Sequence, residues 1–241
     1  MDALEVTNLT KSFGTFTLRD VSFTLPLGSA LGLVGENGAG KSTTISLLLN
    51  LLPRDGGTVK VLGCECTDPD FTARRAYVGV VFDEANFPDG ITAEKVDRIE
   101  RDIYGAQWDS AAYFAHLAHF ELPRNLAFKS FSRGMKMKLS LAVALSHHAT
   151  LLILDEATGG LDPIARDELL DELRDFIADG QHAILLSSHI VSDIEKLCDR
   201  VAFLHKGRLH FCESRDALLA AHPGQNLEDI IVGIAREERG R

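Results

Sequence analysis

The chain has 241 residues, 45% of them hydrophobic and 25% charged, and carries a formal net charge of −10. Such a composition is ordinary for a folded soluble protein and supports one large core without disulfide staples. The acidic balance argues against sequence-independent nucleic-acid binding, which needs a basic surface to displace counterions, so no nucleic acid is expected. The longest apolar runs, Leu151-Leu152-Ile153-Leu154 and Ala183-Ile184-Leu185-Leu186, fall far short of the ~20 residues that span a bilayer. Asp2 and Glu5 stand where a signal peptide would carry basic and apolar residues, so the expected location is cytosolic, or peripheral to a membrane. Cys64, Cys66, Cys198 and Cys212 form no pair of C-x-x-C knuckles and read as reduced, structural thiols. Only the charged tail at 236–241 lacks a pattern that would order it.

The first elements alternate as strands. Leu4-Glu5-Val6-Thr7, then Phe16-Thr17-Leu18 and the run Val21 to Leu25, with turn chemistry at Gly14 and Pro26-Leu27-Gly28, predict an antiparallel edge sheet. Ala30-Leu31-Gly32-Leu33-Val34 is a short apolar strand. It runs into Gly35-Glu36-Asn37-Gly38-Ala39-Gly40-Lys41-Ser42, a complete G-x-x-x-x-G-K-[ST] loop, and a helical pattern follows over 43–52. Strand, Gly-rich turn and helix together aim backbone N–H groups and the positive end of a helix at one anion. In such a loop Lys41 reaches the β- and γ-phosphates and the Ser42 hydroxyl ligates Mg²⁺.

Asp55-Gly56-Gly57 turns the chain into a strand at 58–62, and Tyr77-Val78-Gly79-Val80-Val81-Phe82 predicts a buried one. From about 92 to 146 the texture is helical, with Val96, Ile99 and Ile103 on one face and Tyr113, Phe114, Leu117 and Phe120 on another. This reads as an inserted helical lobe, punctuated by Pro88 and Pro123, whose aromatic stripe forms its core. Beyond it the spacing predicts a strand at 151–154, an amphipathic helix over 163–178 and a strand at 183–187. Strands alternating with helices indicate a parallel α/β sheet. A hairpin at 201–204 and 209–212 turns around Lys206-Gly207, and short helices follow.

Two acids end a buried strand at Leu154-Asp155-Glu156, the edge where open α/β sheets bind ligands. Downstream of a phosphate loop they suggest a division of labour, with Asp155 on the Mg²⁺ shell and Glu156 beside the attacking water. His189 follows the next strand through Ser187-Ser188 and reaches the same edge, where it can donate to a γ-phosphate oxygen. The remaining histidines read as surface or packing residues, and His116 and His119, at i and i+3, have no evident third ligand.

In this order the motifs resemble the nucleotide-binding subunit of ATP-binding cassette (ABC) transporters over nearly the whole chain. The resemblance implies an α/β fold with a P-loop NTPase parallel-sheet core, an antiparallel β subdomain and an inserted α-helical subdomain. All 241 residues form one ATPase domain in this reading, with core and antiparallel parts at 1–87 and 150–241 and the helical signature part at 88–149. Phe13 matches the aromatic that stacks on adenine. Gly35, Asn37, Gly38, Ala39, Gly40, Lys41, Ser42 and Thr43 match the nucleotide-holding Walker A loop. Asp155 and Glu156 match Walker B and the catalytic glutamate, Gly160-Leu161-Asp162 the D-loop, and His189 the switch histidine. Phe131-Ser132-Arg133-Gly134-Met135 stands where L-S-G-G-Q belongs, keeping Ser132 and Gly134.

Two departures are visible. Asp83 occupies the position of the usual Q-loop glutamine, and as a carboxylate it joins Ser42 and Asp155 as an expected Mg²⁺ ligand. Arg133 replaces a glycine and either adds charge near a phosphate or lies in solvent.

The resemblance further implies ATP and Mg²⁺ as cofactors, and Lys41, Glu156 and His189 as the catalytic groups. It implies a sandwich of two nucleotides between two chains, as a homodimer or as a heterodimer with another ABC ATPase, each held also by Ser132 and Gly134 of the opposite chain. It implies an integral membrane permease docked beside 82–88, where Phe87 offers apolar surface, and a cytoplasmic site on the inner membrane face. Asp83 and the short segment after the hairpin look more like bacterial drug or peptide exporter subunits than sugar importers. The competing class is a non-transport ABC ATPase, such as one acting in cluster assembly or translation.

Overall fold

Period-two alternation places Leu4, Val6 and Leu9 of β1 (Asp2–Phe13) and Val21, Phe23 and Leu25 of β2 (Phe16–Pro26) on one buried face. In this computed structural model, described for residues 1–84 and 87–239, the two runs at 16–18 and 21–25 are one strand. A register shift against β1 absorbs the polar residues between them, where Asp20 takes φ 49° and its N–H bonds Thr10 Oγ1. β4 (Gly56–Val61) and β5 (Cys64–Glu65) extend this antiparallel part beyond β1. Residues 85 and 86, inside the stretch expected to border a permease groove, and residues 240 and 241 of the charged tail lie outside the described residues.

The parallel part consists of β3 (Ala30–Val34), β6 (Val78–Phe82), β7 (Leu151–Asp155) and β8 (Ala183–Ser188), to which β9 (Arg200–His205) adds parallel to β3. Every residue of β3, β7 and β8 is buried, as strands covered on both faces require. β10 (Arg208–Ser214) returns antiparallel to β9 and touches β2 at Arg208 and Arg19. The resulting order is β5-β4-β1-β2-β10-β9-β3-β8-β7-β6. Because β8 lies between β3 and β7, the C-terminal ends of three strands meet: Val34 pairs with Ser188, and Asp155 with Ser187. Gly35, Glu156 and His189 therefore leave the sheet side by side.

The helices are α1 (Lys41–Leu48), α2 (Phe71–Arg75), α3 (Ala93–Tyr104), α4 (Ser110–His119), α5 (Arg133–Leu145), α6 (Pro163–Ile177), α7 (Val191–Leu197), α8 (Arg215–Ala221) and α9 (Leu227–Arg239). Successive residues of β7 feed opposite faces. Leu151 and Ile153 pack with Ile45 and Leu48 of α1 and with Leu4, Leu25 and Val59 of the antiparallel strands. Leu152 and Leu154 pack with Leu141 of α5, Leu170 of α6 and Ile194 of α7. Helix α1 starts two residues before the sequence pattern, at Lys41, and ends earlier, with Asn50 at φ 53° just beyond it.

Helices α3 to α5 form the expected lobe, and its aromatic stripe is core: Tyr113, Leu117 and Phe120 are buried together with Trp108, Phe128 and Phe131. This cluster is continuous with the second face of the sheet, so lobe and sheet share one apolar interior. Two expectations are corrected. On α3 the inward face is Ala93, Val96 and Asp97, whereas Ile99 and Ile103 are 45% and 67% exposed. Asp97 turns inward because it accepts a bond from buried Trp108 Nε1 at 2.9 Å, which rotates the isoleucines out. Phe87 is packed instead of presented, its ring edge-on to Phe128 at 5.4 Å.

His147, at the joint between lobe and sheet, stacks on Tyr104 with centroids 4.2 Å apart, and its Nδ1 lies 3.1 Å from the Ala76 carbonyl. The carbonyl can only accept, so Nδ1 carries the proton. Burial holds the imidazole pKa below its ordinary value, meaning that the folded chain binds this proton less readily than the unfolded chain. His147 therefore contributes full stability above about pH 6.5 and loses it as pH falls from there through its lowered folded value. Thermal melts from pH 7.5 to 5.5 should show this fall, no steeper than about 1.4 kcal/mol per pH unit for one proton. His147→Phe, which keeps the ring stack and cannot charge, should remove that component.

Candidate functional site

The loop between β3 and α1 is shaped by what surrounds it. A Cβ on Gly35 would come within 2.3 Å of the Leu204 carbonyl oxygen, and Gly40 stands at φ 111° with Phe16 against it. Only glycine fits either place without strain. Helix α1 opens directly from Gly40, so its first N–H groups point back into the loop. Lys41 is buried, and its Nζ donates to the Gly35 carbonyl at 2.7 Å and pairs with Glu156 Oε1 at 3.0 Å. The ammonium is thus held over the loop.

A cavity of about 430 Å³ opens here, lined by Phe16, by Asn37, Gly38 and Gly40, by Lys41, Ser42 and Thr43 of α1, and by Glu156. Gly35 and Ala39 are buried behind it. Sequence reasoning missed Phe16. The signal for it was its position as the hairpin partner of Phe13 across Gly14. Phe13 itself lies at the hairpin end, 42% exposed, with Lys11 Nζ 5.6 Å over its ring, and does not line the cavity.

The strand edge supplies the acids. Asp155 ends β7 buried, and its Oδ1 has no hydrogen-bond partner, nor has the buried Ser187 Oγ on the paired strand. Two buried orphan oxygens are costly unless a further group satisfies them. A divalent cation suits this donor set, with the exposed Ser42 hydroxyl at the start of α1 as a further oxygen. Glu156 takes φ 53°, a left-handed backbone rare for its residue type, fixed by its N–H bond to the Ser187 carbonyl at 2.9 Å. Its carboxylate joins Lys41 on one oxygen to His189 Nδ1 on the other, the latter at 2.5 Å. The three groups picked out by sequence as catalytic form one connected chain.

The other predicted residues gather in a second group that does not line the cavity. Ser132 caps α5 by accepting from the Met135 N–H at 3.2 Å, and Gly134 packs near Ala165 of α6. Asp162 caps α6 by accepting from the N–H groups of Ile164 and Ala165, each at 3.1 Å. Asp83 is engaged by the Arg133 guanidinium, whose Nε donates to the Gly159 carbonyl at 2.9 Å.

A strand, glycine loop and helix around a buried lysine, with twin carboxylates on the adjoining strand edge, define a P-loop nucleotide-binding protein. Residues 18–159, more than half of the chain, match the family described as ABC transporter. The chain belongs to that family and is an ATP-binding, ATP-hydrolysing subunit of an ABC transporter.

Among its relatives, the Nod factor export ATP-binding protein I of Sinorhizobium fredii is 35% identical over 240 residues, covering 98% of this chain and 69% of the relative. The lantibiotic transport ATP-binding protein SrtF of Streptococcus pyogenes is 31% identical over 228 residues, covering 94% and 95%. A solved structure described as the ATP binding subunit of an ABC transporter superposes with a TM-score of 0.87 at 29% identity, covering 97% of this chain and 99% of that one.

One brace of the site was not legible in the sequence. Arg166 of α6 donates from Nε to Asp193 of α7 at 2.5 Å and from Nη2 to Ser192 at 2.8 Å. Asp193 is fully buried and follows His189 by four residues, so this pair seats the helix that carries the histidine loop. Removing the arginine would leave an uncompensated buried carboxylate. Arg166→Ala should cost about 2 to 4 kcal/mol in urea denaturation and lower the ATPase rate, while Asp193→Asn, which removes the charge as well, should cost less.

Proposed function

We propose that two copies of this chain, or one copy and a related ATPase, close over two ATP molecules and drive a separate membrane permease in the export direction. The observation that supports this best is the Lys41–Glu156–His189 chain at the mouth of the glycine-loop cavity. It is a set of charges poised for a triphosphate and for a water beside it.

In this reading Lys41 turns from Glu156 to the β- and γ-phosphates, while the loop N–H groups of Asn37 to Thr43 hold the phosphate oxygens. Released from the lysine, Glu156 takes the proton of the attacking water, and His189 orients the γ-phosphate end. Phe16 of the cavity wall meets the nucleotide, and Phe13, its hairpin partner, stacks on the base only if the base extends past the cavity to the hairpin end. Ser42 and Asp155, the latter with its unsatisfied oxygen, would hold Mg²⁺, joined by Asp83 if it parts from Arg133. The cation would supply neutralisation of the charge on the phosphates.

Ser132 faces the nucleotide of the opposite chain. Its capping bond uses a lone pair, which leaves the O–H able to donate. One charge-assisted bond from Ser132 and one from the Gly134 N–H contribute about 1.5 to 3 kcal/mol each, so four over two sites give roughly 6 to 12 kcal/mol before ordering costs. That exceeds the ~5.5 kcal/mol that takes a two-state equilibrium from 1:99 to 99:1, so the triphosphate is an adequate switch for dimerisation.

Among the described residues no helix is long and apolar enough to cross a membrane. In this proposal the permease is supplied by a separate chain, which holds the subunit on the inner membrane face. Exposed Ile99 and Ile103 on α3 and Phe82 at the end of β6 give it apolar surface to grip. The export direction rests on relatives named for Nod factor export.

Lys41→Ala should weaken MgATP binding at least about a hundredfold by calorimetry, since it removes the buried cation facing the phosphates. Unchanged affinity would refute the loop assignment. Glu156→Gln should bind MgATP but accumulate an ATP-dependent dimer in size-exclusion chromatography. A strictly monomeric variant at saturating MgATP would remove either the sandwich or the role of Glu156.

A further inference from the structure

We propose that Arg133 is a phosphate-clamping residue parked on Asp83 and the D-loop, which it leaves for the triphosphate held by the neighbouring subunit. The inference rests on the two-chain reading above and adds a residue to it.

The guanidinium joins three elements: its own helix α5, Asp83 just past β6, and the loop between β7 and α6. It lies against Gly160, where an added Cβ would sit 3.0 Å from Nε and 3.1 Å from Cζ. Gly160 also stands at φ +68°, so the loop there has both the space and the backbone that a side chain would deny. Arg133 is the first residue of α5, directly after the capping Ser132. A cation in the first turn of a helix opposes the macrodipole and is tolerated best with an anion at hand. Asp83 is that anion.

The strength of the pair decides what it can be for. The side chains of Arg133 and Asp83 are 48% and 51% exposed, so solvent screens their attraction and opening it costs only a few-fold in equilibrium. A pair this weak is a poor brace between lobe and core. It is well suited to exchange. A triphosphate carries more charge than one carboxylate and offers paired oxygens to the planar guanidinium, so it outcompetes Asp83 once Ser132 meets it. Exchange would also release the Asp83 carboxylate toward the cation side of the site.

A brace and a parked clamp make opposite predictions for the two partners. The monomer–dimer constant should be read by sedimentation velocity at saturating MgATP in the Glu156→Gln background, so that loading of each subunit drops out. Arg133→Gly should weaken the dimer about tenfold per site, on the order of a hundredfold overall, as loss of one charge-assisted bond at each of two sites requires. Arg133→Lys should recover part of that loss, keeping charge without the paired geometry. Asp83→Asn should tighten the dimer a few-fold, because nothing then competes for the guanidinium.

Arg133→Gly without effect overturns the proposal. So does an Asp83→Asn dimer weakened as far as the Arg133→Gly one, since that pattern marks a brace. Thermal melts of each variant separate loss of fold from loss of association. If the Glu156→Gln parent itself never dimerises, the sandwich reading falls and takes this inference with it. A parent dimer indifferent to residue 133 removes this inference alone.

Discussion

A buried ammonium organises this molecule. Lys41 sits at the start of a helix, where the dipole opposes its charge, and inside the protein, where desolvation opposes it again. It is held there by the Gly35 carbonyl and the Glu156 carboxylate. Each partner compensates part of the buried charge, so the loop, the end of β3 and the end of β7 have to be placed together. In the proposed reaction a phosphate chain would satisfy the same cation with more charge.

The sheet order provides that placement. A glycine loop is a local feature, but the distance between Lys41 and Glu156 is not, since β8 comes between β3 and β7 in space while following both in sequence. The alternation of Leu151 and Ile153 against Leu152 and Leu154 packs one strand between two cores, one built on α1 and one on α5 to α7. Slipping β7 by one residue would exchange those faces and carry Asp155 and Glu156 away from the edge. The packing of the strands and the position of the acids are therefore one constraint.

The second group, Asp83, Ser132, Gly134 and Asp162, lies outside the cavity and is built from helix caps and one exposed ion pair. In the proposed dimer that is its sense: groups that one chain cannot use on its own nucleotide are presented to another. The lobe that carries Ser132 shares its apolar interior with the sheet, through Phe131 and Met137 on one side and Leu152 and Leu154 on the other. The end of β6 and the start of α5 are thus joined through packed side chains, and the Arg133–Asp83 pair spans the same junction.

The sequence by itself determined the features whose physics is local: the glycine loop, the apolar strand ending in Asp155-Glu156 and the alternation of strands and helices that makes a parallel sheet. These depend on neighbours within a few positions, and a chain carries such information in its spacing. Tertiary structure alone decided the rest. The face of α3 went to Asp97 because Trp108, eleven residues on, needed an acceptor, which turned Ile99 and Ile103 outward against their apolar periodicity. Phe16, not Phe13, came to line the cavity because the hairpin folds over Gly40. Arg133 met Asp83, and Arg166 met Asp193, across gaps of 50 and 27 residues. Ion pairs and indole hydrogen bonds of that kind are set by which elements pack together, and the spacing of residues along the chain does not pick out the partners.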